Sequence, residues 1–330
     1  MIEASVPVRI CDIGGWTDTW FGGPGRVVNV AIRPGLTVAI RRTGESGVVR
    51  LAVDDEAASY EVVPGSRREA RHPLLEAAID ALPPPDALGI AVTVRSSVPP
   101  GCGTGTSASV AVGLLGGLAA VRSEQWSPRD LAYAAHRLEV EVLGRESGIQ
   151  DQLSAAFGGI NYLEIDQYPD ATVSTLPSWV ELSARLTLVF VGHAHDSSAM
   201  HDQVIERLAG PASRALPGLR DAATAARDAV LGHDLRAFGQ AMIANSQAQE
   251  RLHPDVIGSD ARRVIEIAAG EQALGWKVNG AGGDGGSVTL LAQDPERKAA
   301  LDAAVTRLDP RYRILPVEVA PNGLAVAGEA

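Results

Sequence analysis

A loop rich in glycine and hydroxyl side chains occupies residues 99–109 of this 330-residue chain. Glycines alternate at three of its positions, so the backbone can adopt positive φ and approach a ligand closely. The apolar run over 110–121 that follows predicts a helix, and the dipole and free N–H groups at a helix start favour negative charge. The pattern therefore predicts a phosphate site and a bound nucleotide, although the loop lacks the Lys of an ordinary P-loop.

Two acidic residues, Glu139 and Asp151, can complete a phosphoryl-transfer site with this loop. An apolar stripe over 131–142 predicts a helix, and the helical phase places Glu139 nearer the centre of the stripe than Glu141. A carboxylate near an apolar face needs a partner or a metal. Asp151 falls in the following loop, where it can orient a nucleophile, while the metal bridges phosphates. Two acids alone are weak evidence for a site in a chain with 40 acidic residues. Their combination with the glycine loop is what predicts phosphoryl transfer.

Two further glycine-rich segments flank this region of the chain. Residues 7–19 place Arg9 and Asp18 around a Gly-Gly turn, for which a plain tight turn with a solvated Asp18 is an equal alternative. Residues 280–286 hold five glycines in seven positions. A hairpin needs only one or two glycines. We therefore expect close approach of this backbone to a ligand or to another loop.

The elements that must position these residues alternate between strands and helices. Residues 27–40 predict a hairpin or a bent strand pair broken at Pro34-Gly35, and residues 166–178 predict the domain boundary. Ser127 and Pro128 are typical of a helix start. Other predicted strands cover 48–53, 60–63, 89–94, 186–191, 287–291 and 312–319, and other predicted helices cover 73–82, 197–208, 212–231, 235–252 and 260–274. Helices between strands indicate a mixed α/β or α+β class.

Composition and charge exclude several classes of function. The net charge of −11 argues against nucleic acid and anionic membranes as partners. Two cysteines give no disulfide framework, and neither a signal peptide nor a membrane-spanning run is evident. These features predict a cytoplasmic protein that acts on a small molecule; they leave its oligomeric state open, with a homodimer as one alternative.

The three glycine segments, in this order, resemble the motifs of the GHMP kinase superfamily, which includes galactokinase, homoserine kinase, mevalonate kinase and phosphomevalonate kinase. The second motif of that family, Pro-x3-Gly-Leu-Gly-Ser-Ser-Ala, is similar to residues 99–108, with Thr104 for Leu and Thr106 for the first Ser. Residues 148–152 are similar to the segment with the catalytic Asp. Residues 280–286 resemble the third motif, although Asp284 stands where Gly is usual.

The resemblance implies an α+β, two-domain GHMP kinase fold. Residues 1–175 would form an N-terminal α/β domain similar to ribosomal protein S5, with the phosphate loop and the catalytic acids. Residues 176–330 would form a ferredoxin-like α+β domain with the third glycine motif. The active site is then expected between the two domains.

The resemblance also implies roles for single residues. Ser107 and Glu139 would hold Mg²⁺, Asp151 would face the acceptor hydroxyl, and Arg9 would lie beside that Asp and keep it ionised. The residues implied to bind ATP are Pro100, Gly101, Gly103, Thr104, Gly105, Thr106, Ser107 and Ala108. Those implied to contact the substrate are Gly15, Trp16, Asp18, Gly282 and Gly283.

The first motif narrows the expected substrate. Galactokinases carry Gly-Glu-His-Thr-Asp at the turn that contacts the sugar, whereas this chain has Gly-Gly-Trp-Thr-Asp at 14–18. The stretch 7–32 is most similar to L-fucokinases and D-glycero-D-manno-heptose 7-phosphate 1-kinases, both of which phosphorylate an anomeric hydroxyl. The implied acceptor is a sugar or a sugar phosphate, and Arg26 and Lys277 are candidate cations for a second phosphate.

Two other functions stay open at this point. A non-catalytic nucleotide-binding protein would explain the departures at Thr104, Thr106 and Asp284. A kinase or decarboxylase of isoprenoid acids, of the mevalonate type, is disfavoured by the sugar-type turn. His193 and His195 are a candidate metal pair without an evident third ligand, so a loop on the substrate side is the better interpretation.

Overall fold

The computed structural model describes residues 1–45, 47–54, 58–65, 70–195, 197–208 and 210–328. Within these residues the strands form a nine-stranded sheet and a four-stranded sheet, with helices packed on both. The fold is therefore mixed α+β, as predicted. No helix in this part of the chain combines the length and the apolar content that crossing a bilayer requires.

The large sheet begins with two long, buried strands. β1 (Ile2–Ile13) pairs antiparallel with β2 (Gly25–Thr43), and the order continues through further strands as β13-β1-β2-β5-β3-β4. β6 and β12 also pair with β2, and β7 pairs with β6. The remaining strands of this sheet are β3 (Val49–Val53), β4 (Tyr60–Val62), β5 (Gly89–Ser96), β6 (Ile160–Gln167), β7 (Asp170–Leu176), β12 (Glu318–Val319) and β13 (Ala325–Gly328).

Four helices pack against the large sheet and form its core with β1, β2 and β5. Ala111, Leu114 and Leu118 of α2 are fully shielded from solvent in this cluster. Burial of these apolar side chains is the main term that holds the helices on the sheet. The four helices are α1 (Pro73–Ala81), α2 (Thr106–Val121), α3 (Pro128–Arg137) and α4 (Gln150–Phe157).

The small sheet has the order β11-β8-β10-β9 and is antiparallel throughout. Helices α7 and α8 share one hydrophobic cluster with strands of both sheets, whereas α9 and α10 belong to a separate cluster with the small sheet. The strands are β8 (Leu186–Phe190), β9 (Gly275–Val278), β10 (Ser287–Leu291) and β11 (Arg313–Leu315). The helices are α5 (Val180–Ser183), α6 (Ser197–Leu208), α7 (Ala215–Leu231), α8 (Leu235–Leu252), α9 (Ser259–Gly270) and α10 (Pro295–Leu308).

The predicted hairpin or bent strand pair over 27–40 is one continuous strand, β2. β2 runs through Pro34 and Gly35, and its register against β1 shifts there, from Val6 opposite Leu36 to Val8 opposite Ile32. Two extra residues of β2 bulge out of the pairing with β1 at this point. A bulge tolerates Pro34, which has no N–H to donate to a neighbouring strand.

Two other boundaries differ from prediction. Most of the segment 166–178, where the domain boundary was predicted, forms β7, which pairs with β6, and Pro169 and Pro177 flank this strand. The predicted strand over 312–319 is two strands in different sheets, β11 and β12. The division at residue 175/176 remains a proposal, and β12 and β13 join the sheet formed mainly by the first part of the chain.

Candidate active site

All three glycine segments line one cavity of about 300 Å³, a size within the usual range for small-ligand sites. The predicted residues that line it include Ser107 and Glu139, which were expected to hold Mg²⁺, and Arg9 and Asp151, which were expected at the acceptor hydroxyl. The other predicted lining residues are Gly15, Trp16, Asp18, Gly101, Gly103, Thr104, Gly105, Thr106 and Ala108. Pro100, Gly282 and Gly283 are not among the lining residues.

The phosphate loop ends where α2 begins. Gly101, Gly103 and Gly105 have φ of 65°, 76° and 69°, a region that favours glycine. α2 begins at Thr106, inside the predicted loop, and Gly105 at its N-cap provides no side-chain cap. The first-turn N–H groups are therefore left for a ligand, and with the helix dipole they suit an anion.

Strand β1 fixes the position of this loop. The Arg9 N–H donates to the Thr104 carbonyl at 2.9 Å, and the Arg9 guanidinium donates to the Gly103 carbonyl. At the other end of the loop, Ser109 Oγ donates to the Pro7 carbonyl at 2.8 Å. The loop is thus held by one backbone and two side-chain hydrogen bonds to the first glycine segment.

The third glycine segment packs on the phosphate loop. A Cβ on Gly280 would lie 3.0 Å from the Gly103 carbonyl oxygen, and Ser287 Oγ donates to the Cys102 carbonyl at 2.6 Å. Gly280 and Ala281 line the cavity. Gly282 and Gly283 were predicted to contact substrate, yet they pack on the turn at Pro254–Val256, where Gly283 N–H donates to Val256. At this end of the third glycine segment, the glycines allow one loop to pack closely on another.

Ser107 and Glu139 meet in the cavity. Ser107 Oγ donates to Glu139 Oε1 at 2.6 Å, and Gln152 and Ser147 donate to the other carboxylate oxygen. Ser127 caps α3, which continues into a π-helical turn at Leu138–Val142. Glu139 is 5% exposed whereas Glu141 is exposed, which confirms the predicted helical phase.

The donor set around Glu139 fits a divalent cation. Burial raises the pKa of the Glu139 carboxyl, and within the described residues its hydrogen-bond donors are all neutral. A buried carboxylate without a cation carries an uncompensated desolvation cost. Carboxylate and hydroxyl oxygens are ligands that Mg²⁺ accepts, so this pair is a candidate site for it.

Asp151 forms a bidentate ion pair with Arg9. Arg9 Nε lies 2.8 Å from Asp151 Oδ1, and Arg9 Nη2 lies 3.0 Å from Asp151 Oδ2. Asp151 occupies the first turn of α4 rather than the predicted loop. A Cβ on Gly105 would lie 3.0 Å from Asp151 Oδ2, so this carboxylate lies against the phosphate loop.

Asp18 is buried in the cavity wall, so the alternative of a solvated turn is wrong. Its side chain accepts the Gln150 N–H at 3.1 Å, and the residue is 3% exposed. Burial, followed by the charge of Asp151, raises the pKa of Asp18 to about 7. Gly148 lies directly against this carboxylate, where a Cβ would overlap it.

Trp16 and His201 form an aromatic edge of the cavity. Their ring centroids are 4.9 Å apart at an interplanar angle of 70°. Trp16 is 5% exposed, and its indole N–H has no hydrogen-bond partner among the described residues. His201 Nδ1 lies 2.9 Å from the Glu146 carbonyl, and burial lowers the pKa of His201.

The structure also adds cavity residues that the sequence did not indicate. Glu146 and His201 are examples, because a single acid in a loop and a single imidazole on an exposed helix form no pattern. His195 lines the cavity, and its Nδ1 lies 2.9 Å from the Gly101 carbonyl oxygen. His193 instead contacts Asp260 and Asp284, outside the lining, so the two imidazoles do not share one site.

Neither candidate cation for a second phosphate reaches the cavity. Arg26 pairs with Asp166 at 2.9 Å on neighbouring strand β6. Lys277 is fully buried on β9 and donates to Asp12 Oδ1 at 2.8 Å and to the Val278 carbonyl at 2.7 Å. Both expectations were wrong, because each cation is neutralised by a carboxylate away from the cavity or behind its wall.

The family model for the N-terminal domain of GHMP kinases matches residues 73–159. D-glycero-alpha-D-manno-heptose 7-phosphate kinase of Campylobacter jejuni is 26% identical over 67% of this chain and 66% of its own length. The bifunctional fucokinase/GDP-fucose pyrophosphorylase of Arabidopsis thaliana is 25% identical over 91% of this chain. This chain spans only 30% of that plant protein.

A mevalonate kinase of Thermococcus sibiricus is 27% identical over 66% of this chain and 63% of its own length. Among solved structures, a D-glycero-D-manno-heptose 1-phosphate kinase from Bacteroides thetaiotaomicron superposes with a TM-score of 0.77 over the whole of both chains. The sequence identity in that comparison is 21%, so the likeness shows the fold.

Proposed function

We propose that the chain is a kinase of the GHMP superfamily and that it transfers the γ-phosphate of ATP to the anomeric hydroxyl of a sugar. One observation carries the proposal. The Ser107–Glu139 pair and the Arg9–Asp151 pair face the same cavity, beside a glycine loop at a helix start. Phosphoryl transfer needs this combination of anion site, metal ligands and nucleophile-orienting group.

The donor side of the proposed site is the phosphate loop with Ser107 and Glu139. Backbone N–H groups at the start of α2 would bind the phosphates of ATP. When bound, Mg²⁺ supplies positive charge that neutralises the phosphate oxygens. Ser107 Oγ and the Glu139 carboxylate would hold it, since this carboxylate accepts from neutral donors only among the described residues.

On the acceptor side, Asp151 would accept a hydrogen bond from the acceptor hydroxyl. As the new O–P bond forms and the bond to ADP breaks, the hydroxyl proton passes to the Asp151 carboxylate. The bidentate contact of Arg9 fixes the orientation of this carboxylate. Asp18 would accept hydrogen bonds from other hydroxyls of the sugar.

Asp151→Asn tests the proposal directly. We expect kcat with a sugar acceptor to fall by about 10²–10⁴-fold, because the group that takes the proton is lost. ATP affinity should change little. The assay measures ADP release and product mass over a panel of free and phosphorylated sugars. Asp170→Asn, an exposed acid on β7, is the matched control and should keep full activity. Sugar-independent or absent turnover in the unaltered protein would refute the proposal.

The same panel separates the two other candidates. The match to mevalonate kinases favours a kinase of isoprenoid acids as the second candidate, so mevalonate is included as an acceptor. A non-catalytic nucleotide-binding protein would bind ATP tightly and turn over none of the acceptors. Turnover of mevalonate above every sugar would replace the sugar-kinase proposal.

A further inference from the structure

Two asparagines interrupt the apolar runs of neighbouring strands in the large sheet. Asn29 lies between valines in β2, Asn161 lies in β6, and the register of the two strands places them directly opposite each other. Both side chains are fully buried. An amide buried without partners is costly, so each must find hydrogen bonds within the fold. Neither asparagine lines the cavity, and the proposed phosphoryl transfer gives them no role.

The hydrogen bonds of the two asparagines lead from the sheet to the cavity. Asn161 Nδ2 donates to Asn29 Oδ1 at 3.3 Å, and Asn29 Nδ2 donates to Gln150 Oε1 at 3.1 Å. Gln150, the first residue of α4, donates in turn from Nε2 to Asp151 Oδ1. We call Asn161, Asn29 and Gln150 the amide chain. It ends at the carboxylate that is proposed to face the acceptor hydroxyl.

Backbone carbonyls fix the direction of the amide chain. Asn161 Nδ2 also donates to the Gly158 carbonyl at 2.8 Å, and Asn29 Nδ2 also donates to the Gln150 carbonyl at 3.1 Å. A carbonyl can only accept, so neither asparagine can exchange its amide nitrogen and oxygen without losing one of these bonds. Gln150 Oε1 therefore faces a donor, and this contact directs its Nε2 to Asp151.

The amide chain decides which oxygen of Asp151 stays open. An ionised carboxylate offers about four lone-pair sites, shared equally by its oxygens. Oδ1 accepts from Arg9 Nε at 2.8 Å and from Gln150 Nε2, so both of its sites are used. Among the described residues, Oδ2 accepts only from Arg9 Nη2, at 3.0 Å. Oδ2 is also the oxygen that lies against Gly105 of the phosphate loop.

We infer that the amide chain positions Asp151 by holding Oδ1, so that the hydroxyl proton passes to Oδ2 as the O–P bond forms and the bond to ADP breaks. This inference rests on the proposed kinase function. The two anchors of the carboxylate come from different parts of the fold. Arg9 also donates to the Gly103 carbonyl of the phosphate loop, whereas Gln150 is held by the interior of the sheet. Asp151 is thereby oriented relative to both.

Gln150→Met tests the amide chain, because methionine is of similar length but has no amide. We expect kcat with a sugar acceptor to fall about tenfold, since Arg9 still holds the carboxylate while Oδ1 loses its second donor. KM for ATP should stay the same, because the phosphate loop is untouched. Initial rates of ADP release with the best acceptor of the sugar panel give both constants. An unchanged kcat would overturn the inference.

Gln249→Met is the matched control. Gln249 is buried like Gln150, and its Oε1 accepts from Asn245 Nδ2 at 3.0 Å. The same substitution therefore removes the same kind of Gln–Asn hydrogen bond at a place that does not contact Asp151. Urea unfolding should show similar losses of stability in the two variants, whereas kcat should fall in Gln150→Met alone. An equal fall of kcat in both variants would show a general effect of packing and overturn the inference.

A double-mutant cycle with Asp151→Asn separates positioning from a general loss of structure. If Gln150 acts through the Asp151 carboxylate, Gln150→Met should change the residual kcat of Asp151→Asn by less than about twofold. A residue with a merely structural role would lower kcat by the same factor in both backgrounds. Equal factors would therefore contradict the positioning role.

The contact can also be followed without turnover and without the methionine variant. When glutamine side chains are labelled with ¹⁵N, the Nε2 resonance of Gln150 should shift in Asp151→Asn, while that of Gln249 stays in place. If no acceptor is turned over but this shift is seen, the kinase proposal fails and the orientation of Asp151 by the amide chain stands. If the Gln150 resonance does not respond, the amide chain is wrong, whether or not the protein turns over sugars.

Discussion

Replacing Lys277 with Met should destabilise the protein by about 3–5 kcal/mol, the usual cost of removing one partner of a buried ion pair. The Lys277 side chain is 0% exposed and that of Asp12 is 3% exposed, and their charged atoms are 2.8 Å apart. Without the ammonium, the Asp12 carboxylate would keep only the Gly280 N–H as a donor among the described residues. A charge buried with one neutral donor is costly to keep.

The pair as a whole need not stabilise the fold. Desolvation of the two groups offsets most of their attraction, and burial accordingly lowers the pKa of Lys277 even though Asp12 opposes this. We therefore expect the double variant Lys277→Met/Asp12→Leu to recover most of the loss in a double-mutant cycle. Asp12 lines the cavity, so this cycle is read for stability and not for activity.

Urea unfolding followed by circular dichroism provides the measurement, with the free energy of unfolding taken from linear extrapolation. Lys298→Met is the matched control. Its partner Asp302 lies 2.6 Å away on the same helix, and both side chains are 25% exposed. A helical ion pair of this kind contributes about 0.3–0.5 kcal/mol. A loss below about 1 kcal/mol for Lys277→Met would refute the reasoning from burial.

Three further changes have defined outcomes. Gly148→Ala places a methyl group against the Asp18 carboxylate. We expect the free energy of unfolding to fall by about 1–3 kcal/mol and kcat/KM for the acceptor to fall at least about tenfold. Unchanged kcat/KM would contradict this contact. Asp18 has a folded pKa of about 7, above its ordinary value of 3.8, so protons bind the folded state more tightly and stability falls as pH rises from about 4 to 7. In Asp18→Asn, stability should no longer fall over this pH range. Melting temperatures of the unaltered protein and the variant between about pH 4 and 7 provide the measurement, and the same pH dependence in both would contradict the prediction. Ser127→Ala removes the α3 cap and should cost about 1 kcal/mol in urea unfolding.

Helices with strong periodicity were predictable from the sequence. The predicted ranges of α6 and α8 coincide with the observed ones. For α8 a clear start signal is present, since the Asp234 side chain accepts the Ala237 N–H. α10 was not predicted, although Asp294 caps it and Pro295 begins it. Its apolar stripe is weak, since only Leu301 and Val305 are buried.

Strand connections were harder to predict, because pairing is decided by residues far away in sequence. Pro34 and Gly35 have the local chemistry of a turn, yet β1 on one side and β5 on the other keep β2 continuous. The predicted strand over 312–319 divides for a related reason. Its two halves find partners in different sheets, and no local signal reports this.

Within the site, residues that belong to a sequence motif were predictable, and isolated residues were not. Arg9, Ser107, Glu139 and Asp151 meet as expected, because motif spacing fixes their positions. Lys277 was one of two candidate cations for a second phosphate, but on β9 it pairs with Asp12 instead. A lysine in a sequence does not reveal which carboxylate the fold will bring to it.

The contacts between the first and third glycine segments have a consequence for how the protein reaches its native state. Lys277 and Asp12 are 265 residues apart in sequence, and the contact of Asn279 with Cys11 spans 268. Such distant contacts form late, since long loops must close before they contribute. A partly folded chain in which β1 already holds the phosphate loop would still lack the packing of Gly280 against Gly103. The proposed nucleotide site would then reach its complete packing only with the last folding step.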